Sequence, residues 1–258
     1  MLFDYPLTKT NRLRLAQAFR HNRRVDISID CVLEEQMGRA FVDDLERPSA
    51  FMLEVSGFYY FAGEAHSAGG QEMLATLRPY TLFMPSPQSW AEAAQAMYGE
   101  RFVAFPRYSF SSAQLSREHL TGLLQASPWR ERVRRLDDEE LVTAVSQSDE
   151  GIFDIGAFDS AADFVARGIG YCLLEGDAVQ GVAYASLVAS RGIEVSIVVL
   201  PAYRRQGVAT ALAAAMLSDC LAQNMDANWD AANPPSCSLA EKLGYTPTGT
   251  YTAYYLRE

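Results

Sequence analysis

In the second half of the chain, apolar residues come in short runs separated by turn residues, and the spacing of apolar positions switches repeatedly from two to three or four. That order predicts strands alternating with helices. Residues 133–136 read as a strand, the acids at 137–140 suit the first turn of a helix, and residues 158–167 read as a second helix. Residues 170–174 and 179–189 form a strand pair across a turn at 175–177, and Arg191-Gly192 turns the chain into a strand from Ile193. Val208, Leu212, Ala215, Met216 and Cys220 then recur at helical spacing in an Ala-rich run of high helix propensity. Residues 227–231 are the next strand, and residues 246–256 close the chain with alternating Tyr251, Ala253 and Tyr255. The class that follows is α/β (α+β), helices on a mixed, mostly antiparallel sheet.

The first half is patterned less regularly. Residues 11–19 read as an amphipathic helix, 39–42, 51–55 and 58–62 as strands, and 89–98 as a helix whose aromatics belong to a core. The strand pair around Gly57 is strongly apolar, so this half should own a core. We therefore expect a smaller α/β domain over residues 1–125 before a second domain over 126–258, the chain passing between them within residues 117–131. Residues 63–70, GEAHSAGG, read as a solvent loop rather than as an anion-binding turn, because lone Gly-rich segments are common turns.

The chemistry concentrates in residues 194–210, EVSIVVLPAYRRQGVAT. A short apolar strand runs through a proline turn into a helix start, where free backbone N–H groups and the helix dipole favour negative charge. Gly207 removes a Cβ where the main chain must approach a ligand, and small Ala209 and Thr210 keep the helix opening uncluttered. No Gly-Lys-Ser/Thr follows and G-x-G-x-x-G is missing, so this is neither a Walker loop nor a dinucleotide fingerprint. A second pattern lies at residues 233–245, where Asn233 and two prolines open a helix, Leu239 and Leu243 stand four apart, and Gly244 stops it.

Together these segments resemble the GNAT N-acetyltransferase superfamily. Its motif A is matched by Val199, Pro201, Tyr203, Arg204 and the Gly207-x-Ala209 pair, and its motif B by Asn233 and the helix ending in Lys242-Leu243-Gly244-Tyr245. The two-part layout is similar to acetyltransferases of the zwittermicin-resistance type, in which a divergent N-terminal domain precedes the catalytic one. The resemblance implies acetyl-CoA as cofactor, CoA as product, and a V-shaped splay between the strand ending at Leu200 and the one near Trp229. It implies that the main chain of Ile197, Val198 and Val199 pairs with pantetheine and polarises the acetyl carbonyl. It further implies that Arg204, Arg205, Gln206, Gly207, Val208, Ala209 and Thr210 hold the pyrophosphate. Asn233 and Ser236 would add cofactor contacts, although Asn233 suits a helix cap equally well.

Glu194 is the catalytic candidate, as the base that deprotonates an acceptor amine; its plainer reading is an edge-strand carboxylate. One departure concerns the Tyr that many members carry seven residues after the motif B Asn, where this chain has Ala240. Either the thiolate leaves without a protein acid or Tyr251, Tyr254 or Tyr255 supplies the proton. Cys237 reads as a helix residue rather than a nucleophile, since no His lies near it in sequence.

Composition narrows the partners. Cys31, Cys172, Cys220 and Cys237 show no C-x-x-C spacing and His21, His66 and His119 are scattered, which argues against a metal site or a disulfide framework. No apolar run approaches a membrane span and the first residues lack a signal-peptide core, so a cytoplasmic protein is expected. Residues 1–130 carry 13 Lys/Arg against 14 Asp/Glu, and residues 131–258 carry 9 against 18. An acidic second half argues against nucleic acid and suits a cationic acceptor. The reading is direct transfer from acetyl-CoA to a primary amine of a small polar molecule in a ternary complex. Its rivals are a non-catalytic acyl-CoA sensor and a protein Lys or N-terminal acetyltransferase.

Overall fold

The computed structural model describes the chain apart from Met1, Asp149, Glu150, Gly156 and Asp177. The expected turn at 175–177 therefore falls partly outside the described residues. Two compact units emerge, one from Met1–Arg107 with Thr250–Glu258 and the other from Tyr108–Gly249. The divisions fall inside two long strands, whereas the sequence reading set its domain division at 125/126.

The first unit runs β1 (Phe3–Asp4), α1 (Lys9–Ala18), α2 (Ser28–Leu33), β2 (Arg39–Val42), β3 (Ala50–Val55), β4 (Phe58–Gly63), α3 (Ala68–Ala75), β5 (Leu82–Phe83) and α4 (Gln88–Tyr98), then enters β6 (Phe102–Ser111). Strands β1 to β4 pair antiparallel in sequence order, and β5 pairs parallel to β4. Its core is aromatic: Phe61 stacks on Phe83 and on Trp90 at 4.9 and 4.8 Å, and Trp90 is fully buried. The apolar character of residues 51–62 thus does build a separate core. The GEAHSAGG segment is only in part a loop, because α3 already begins at Ala68 with Ser67 Oγ accepting from the Gly70 N–H at 3.0 Å.

The second unit continues with α5 (Arg117–Gln125), β7 (Val133–Arg135), α6 (Glu139–Ser146), α7 (Ala161–Arg167), β8 (Gly170–Glu175), β9 (Ala178–Ala189), β10 (Gly192–Val199), α8 (Val208–Ala222), β11 (Asp226–Asn228), β12 (Asp230–Ala231) and α9 (Pro234–Leu243). The final strand, β13 (Thr246–Leu256), returns to the first unit and pairs with β5. Its sheet has the order β11-β10-β9-β8-β7, antiparallel except for β10 with β11. Helix α8 is buried from Val208 through Leu217 except for half-buried Ala209, because β8 to β10 cover one side of it and α5 and α9 approach from others. A helix enclosed in this way has no polar face to keep, which explains its nearly uniform Ala, Leu and Met composition. Residues 117–131 are not a bare connection: they contain α5, whose packing on α8 is among the most extensive between elements of this unit.

The sheet mixes parallel and antiparallel pairs with antiparallel dominant, as the sequence order implied. Among the described residues no helix is long and apolar enough to cross a membrane, and no cluster of His, Cys, Asp and Glu is arranged to hold a metal ion.

One glycine fixes where β10 and β11 meet. A Cβ built on Gly192 would lie 1.9 Å from the Asp226 carbonyl oxygen, far inside van der Waals contact, so the strands approach closely only because that atom is missing. Gly192→Ala should lower unfolding stability by about 1–3 kcal/mol through this clash. Gly122→Ala on α5, where a new Cβ meets nothing within 4 Å, should instead be neutral or stabilising by roughly 0.5–1 kcal/mol. Urea unfolding of both variants measures the contrast, and equal effects would contradict the close-approach account.

Candidate active site

Strand β10 is covered on one side along its length and on the other for three residues only. Its register with β9 runs from Gly192↔Ala189 to Val199↔Gly181, while β11 matches only Gly192, Ile193 and Glu194, opposite Asp226, Ala227 and Asn228. After Asn228 the chain leaves that sheet, and β12 pairs with β6 instead, Asp230 opposite Ser109 and Ala231 opposite Tyr108. The expected splay near Trp229 is therefore present, and its vertex is the Glu194/Asn228 pair.

Alternation decides which main-chain groups face the gap. The Leu200 N–H donates to the Gln180 carbonyl at 3.0 Å, so every second residue back, Val198 and Ser196, also turns its backbone to β9. Val195, Ile197 and Val199 then present theirs to the open edge, and the Val199 carbonyl accepts from Arg204 Nε at 2.9 Å. Of the strand residues singled out from sequence, Ile197 and Val199 lie on this edge, whereas Val198 is committed to β9.

The turn at residues 200–207 carries β10 into α8. Arg205 has φ of 63° and Gly207 has φ of 84° and ψ of 2°. For Gly207 this left-handed conformation is unstrained, and a Cβ there would meet nothing within 4 Å, so the space before the turn is empty. Among the described residues no side chain caps α8, and its first intrahelical bond is from Ala211 N–H to the Gly207 carbonyl. The N–H groups of Val208, Ala209 and Thr210 thus lack helical acceptors and add to the positive end of the dipole.

A brace that has no sequence signal supports the turn. Trp129 Nε1 donates to the Gln206 carbonyl at 2.8 Å, the Tyr203 hydroxyl donates to Glu175, and Arg132 bridges to Glu175 at 3.1 Å while lying 5.6 Å from the Trp129 ring centroid. Residues 129–132, 175 and 203–206 meet only in three dimensions. The Tyr203 hydroxyl and then Arg132 hold the Glu175 carboxyl below its usual value.

Glu194 is only 9% exposed, and its Oε2 accepts from Asn228 Nδ2 at 2.8 Å. Both share a sheet face opposite α8: Gly181 and Tyr171, of the other parity, meet α8 through Leu212 and Asp219. Asn228 was not singled out from sequence, where it is one polar residue in an alternating strand. Motif B forms as read. Asn233 Oδ1 accepts from the Ser236 N–H at 3.0 Å, and Ser236 Oγ accepts from Trp229 Nε1 at 3.2 Å, so both residues have local structural roles. Ala240 is fully buried on α9. Tyr251, Tyr254 and Tyr255 belong to the first unit, where Tyr251 Oη accepts from Arg107 Nε at 3.1 Å and Tyr254 stacks on Phe102 at 4.5 Å. All four cysteines are free, and burial together with nearby Glu241 pushes the Cys237 thiol up.

The model of the GNAT acetyltransferase family matches residues 18–254. The chain belongs to that family. As a GNAT protein it is an N-acetyltransferase, and it is similar to the uncharacterized N-acetyltransferase YdfB of Bacillus subtilis (strain 168). The two are 24% identical over 229 residues, covering 84% of this chain and 85% of that one. The crystal structure of a GCN5-related N-acetyltransferase-like protein from Streptococcus suis 89/1591 superposes with a TM-score of 0.84 at 26% identity, covering 95% of this chain and 98% of that one. A tandem GNAT protein from the clavulanic acid biosynthesis pathway shares the fold, with a TM-score of 0.55 at 10% identity over 98% of this chain and 97% of its own.

Two measurements probe the site's electrostatics. A carboxyl held below its ordinary value of 4.5 stabilises above that value, and the effect is lost as pH falls through the lowered one. Amide exchange at residues 203–207, corrected for its intrinsic pH dependence, should accelerate at acid pH in the native protein and already at neutral pH in Glu175→Gln. Cys237, with a raised pKa, should alkylate more slowly at pH 8 than an unperturbed thiol, its rate still climbing at pH values where a free thiol has levelled off.

Proposed function

We propose that this acetyltransferase moves the acetyl group of acetyl-CoA to a primary amine of a small polar molecule, by direct attack within a ternary complex. The observation that supports this best is the open edge of β10 leading into an uncapped helix start at Gly207. GNAT proteins generally use acetyl-CoA, and the residues fit it. Ile197 and Val199 offer main-chain groups to extended amides, and the empty space before Gly207 admits a pyrophosphate. The N–H groups from Gln206 to Thr210 would hold that pyrophosphate, with Arg204 and Arg205 flanking it and Asn233 and Ser236 as further contacts. When bound, acetyl-CoA supplies an activated thioester.

The chain's own contribution centres on Glu194. An ammonium has no lone pair for attack, so a proton must leave the acceptor first, and Glu194 Oε1 or Oε2 receives it directly or through an ordered water. Asn228 orients the carboxylate from the neighbouring strand. The acidic second half, 18 Asp/Glu against 9 Lys/Arg, favours a cationic acceptor. A raised Cys237 pKa works against an acetyl-cysteine intermediate and so supports direct transfer.

Screening amines with acetyl-CoA while reading thiol release tests the activity; tight cofactor binding without turnover over a broad panel would favour a sensor. Glu194→Gln should lower kcat by roughly 10²-fold or more while leaving acetyl-CoA affinity nearly unchanged. That loss should shrink as pH rises and more of the amine arrives deprotonated. Asn228→Ala should lower kcat by about 10-fold with acetyl-CoA affinity kept. Gly207→Val, which forces a β-branched residue into φ near +84° and fills the space before the turn, should weaken acetyl-CoA binding severely in a folded protein. Unchanged calorimetric affinity in that variant would remove the loop assignment.

A further inference from the structure

The two units repeat one order of elements. β1, α1, α2, β2, β3, β4, α3 and β5 follow one another in the first, and β7, α6, α7, β8, β9, β10, α8 and β11 in the second. The pairing repeats as well: antiparallel through the first four strands of each set, then parallel between the fourth and fifth. The turn from β4 to α3 thus corresponds to the turn from β10 to α8, and the edge of β4 facing β5 corresponds to the open edge of β10.

That first-unit edge is treated differently. β5 pairs with β4 only at Phe58 and Tyr59, and the Met84 N–H donates to the Tyr59 carbonyl at 2.8 Å. Beyond this point side chains of the same unit occupy the edge. Ser86 Oγ accepts from the Phe61 N–H at 3.0 Å, Asn22 Nδ2 donates to the Phe61 carbonyl at 3.0 Å, and Trp90 Nε1 donates to the Gly63 carbonyl at 3.1 Å. Asn22 and Trp90 are buried, and the Trp90 ring stacks on Phe61. The turn into α3 spans four residues, 64–67, against eight, 200–207, in the second unit. Its helix start is capped by Ser67, and the Asp43 side chain lies against Gly69. β4 reads FYYFAG, with no carboxylate along it to match Glu194 on β10.

We propose that the first unit holds a second copy of the cofactor cleft, filled by the chain itself with Asn22, Ser86 and Trp90, so that each chain binds one acyl-CoA, in the second unit. Buried main-chain groups must be satisfied by something. In the second unit a ligand does this; in the first, three side chains do so permanently. A ligand entering the first cleft would have to expel a fully buried tryptophan whose attachment to the chain gives it a high effective concentration at the site. Such a filled cleft serves as a rigid core, not as a catalytic one. The inference rests on reading the β10 edge as the cofactor site, and the test separates the two.

Calorimetry and native mass spectrometry of the full chain with CoA, joined to amide exchange with and without it, read both stoichiometry and place. One CoA per chain is expected, with slowed exchange over residues 195–210 and none induced over 58–70. Gly207→Val should lose this binding without new protection at 58–70. Two CoA per chain, with protection at both segments, would overturn the filled cleft and leave the β10 reading standing. One CoA protecting only 58–70 would overturn both.

Discussion

The parting of β10 from β11 after the Glu194/Asn228 pair is the constraint on which the rest of the site depends. A strand that loses its neighbour keeps its N–H and C=O groups, and buried groups of that kind require partners. By sending β12 to pair with β6, the chain leaves Val195, Ile197 and Val199 facing a gap rather than a strand. The close approach at Gly192 fixes where the strands meet, the Glu194/Asn228 pair is where the gap begins, and the helix start at Gly207 is where it ends. At the vertex the last pair of the two strands holds a carboxylate against an amide, Glu194 Oε2 accepting from Asn228 Nδ2.

The same constraint is met in two ways within one molecule. In the second unit the edge is open, and a long turn braced by Trp129, Arg132, Glu175 and Tyr203 leads to a helix start without a side-chain cap among the described residues. In the first unit a short turn and three inward side chains close it. Closing the edge allows the tight aromatic core of Phe61, Phe83 and Trp90. Packing of that quality and an open ligand cleft are alternatives at the same place, since the atoms that fill one exclude the other.

Ala240 and Cys237 illustrate how context settles chemistry. Full burial of Ala240 on α9 makes the missing motif Tyr a packing residue rather than a vacancy in the cleft. Around Cys237, burial and Glu241 push the thiol pKa up, which favours the protonated form over the nucleophilic thiolate.

The sequence by itself determined the local devices. The proline turn with Gly207, the Asn233 cap and the Gly244 stop are read over a few residues, because backbone conformation and capping are short-range effects. It also determined the family and most elements of the second half, since apolar periodicity and two motifs in order survive in one dimension, but the single strand read over residues 227–231 is two, β11 and β12, that pair in different sheets. Tertiary structure alone decided what depends on strand neighbours. The choice between Val198 and its flanking residues for the open edge turns on a register with β9, and the Asn228 contact to Glu194 joins residues 34 apart. The equivalence of the two units, with the last strand returned to the first, is a pattern of pairings and not of residues. Pairing is cooperative and long-range, so nothing in the local spacing of the first half announces that it repeats the second.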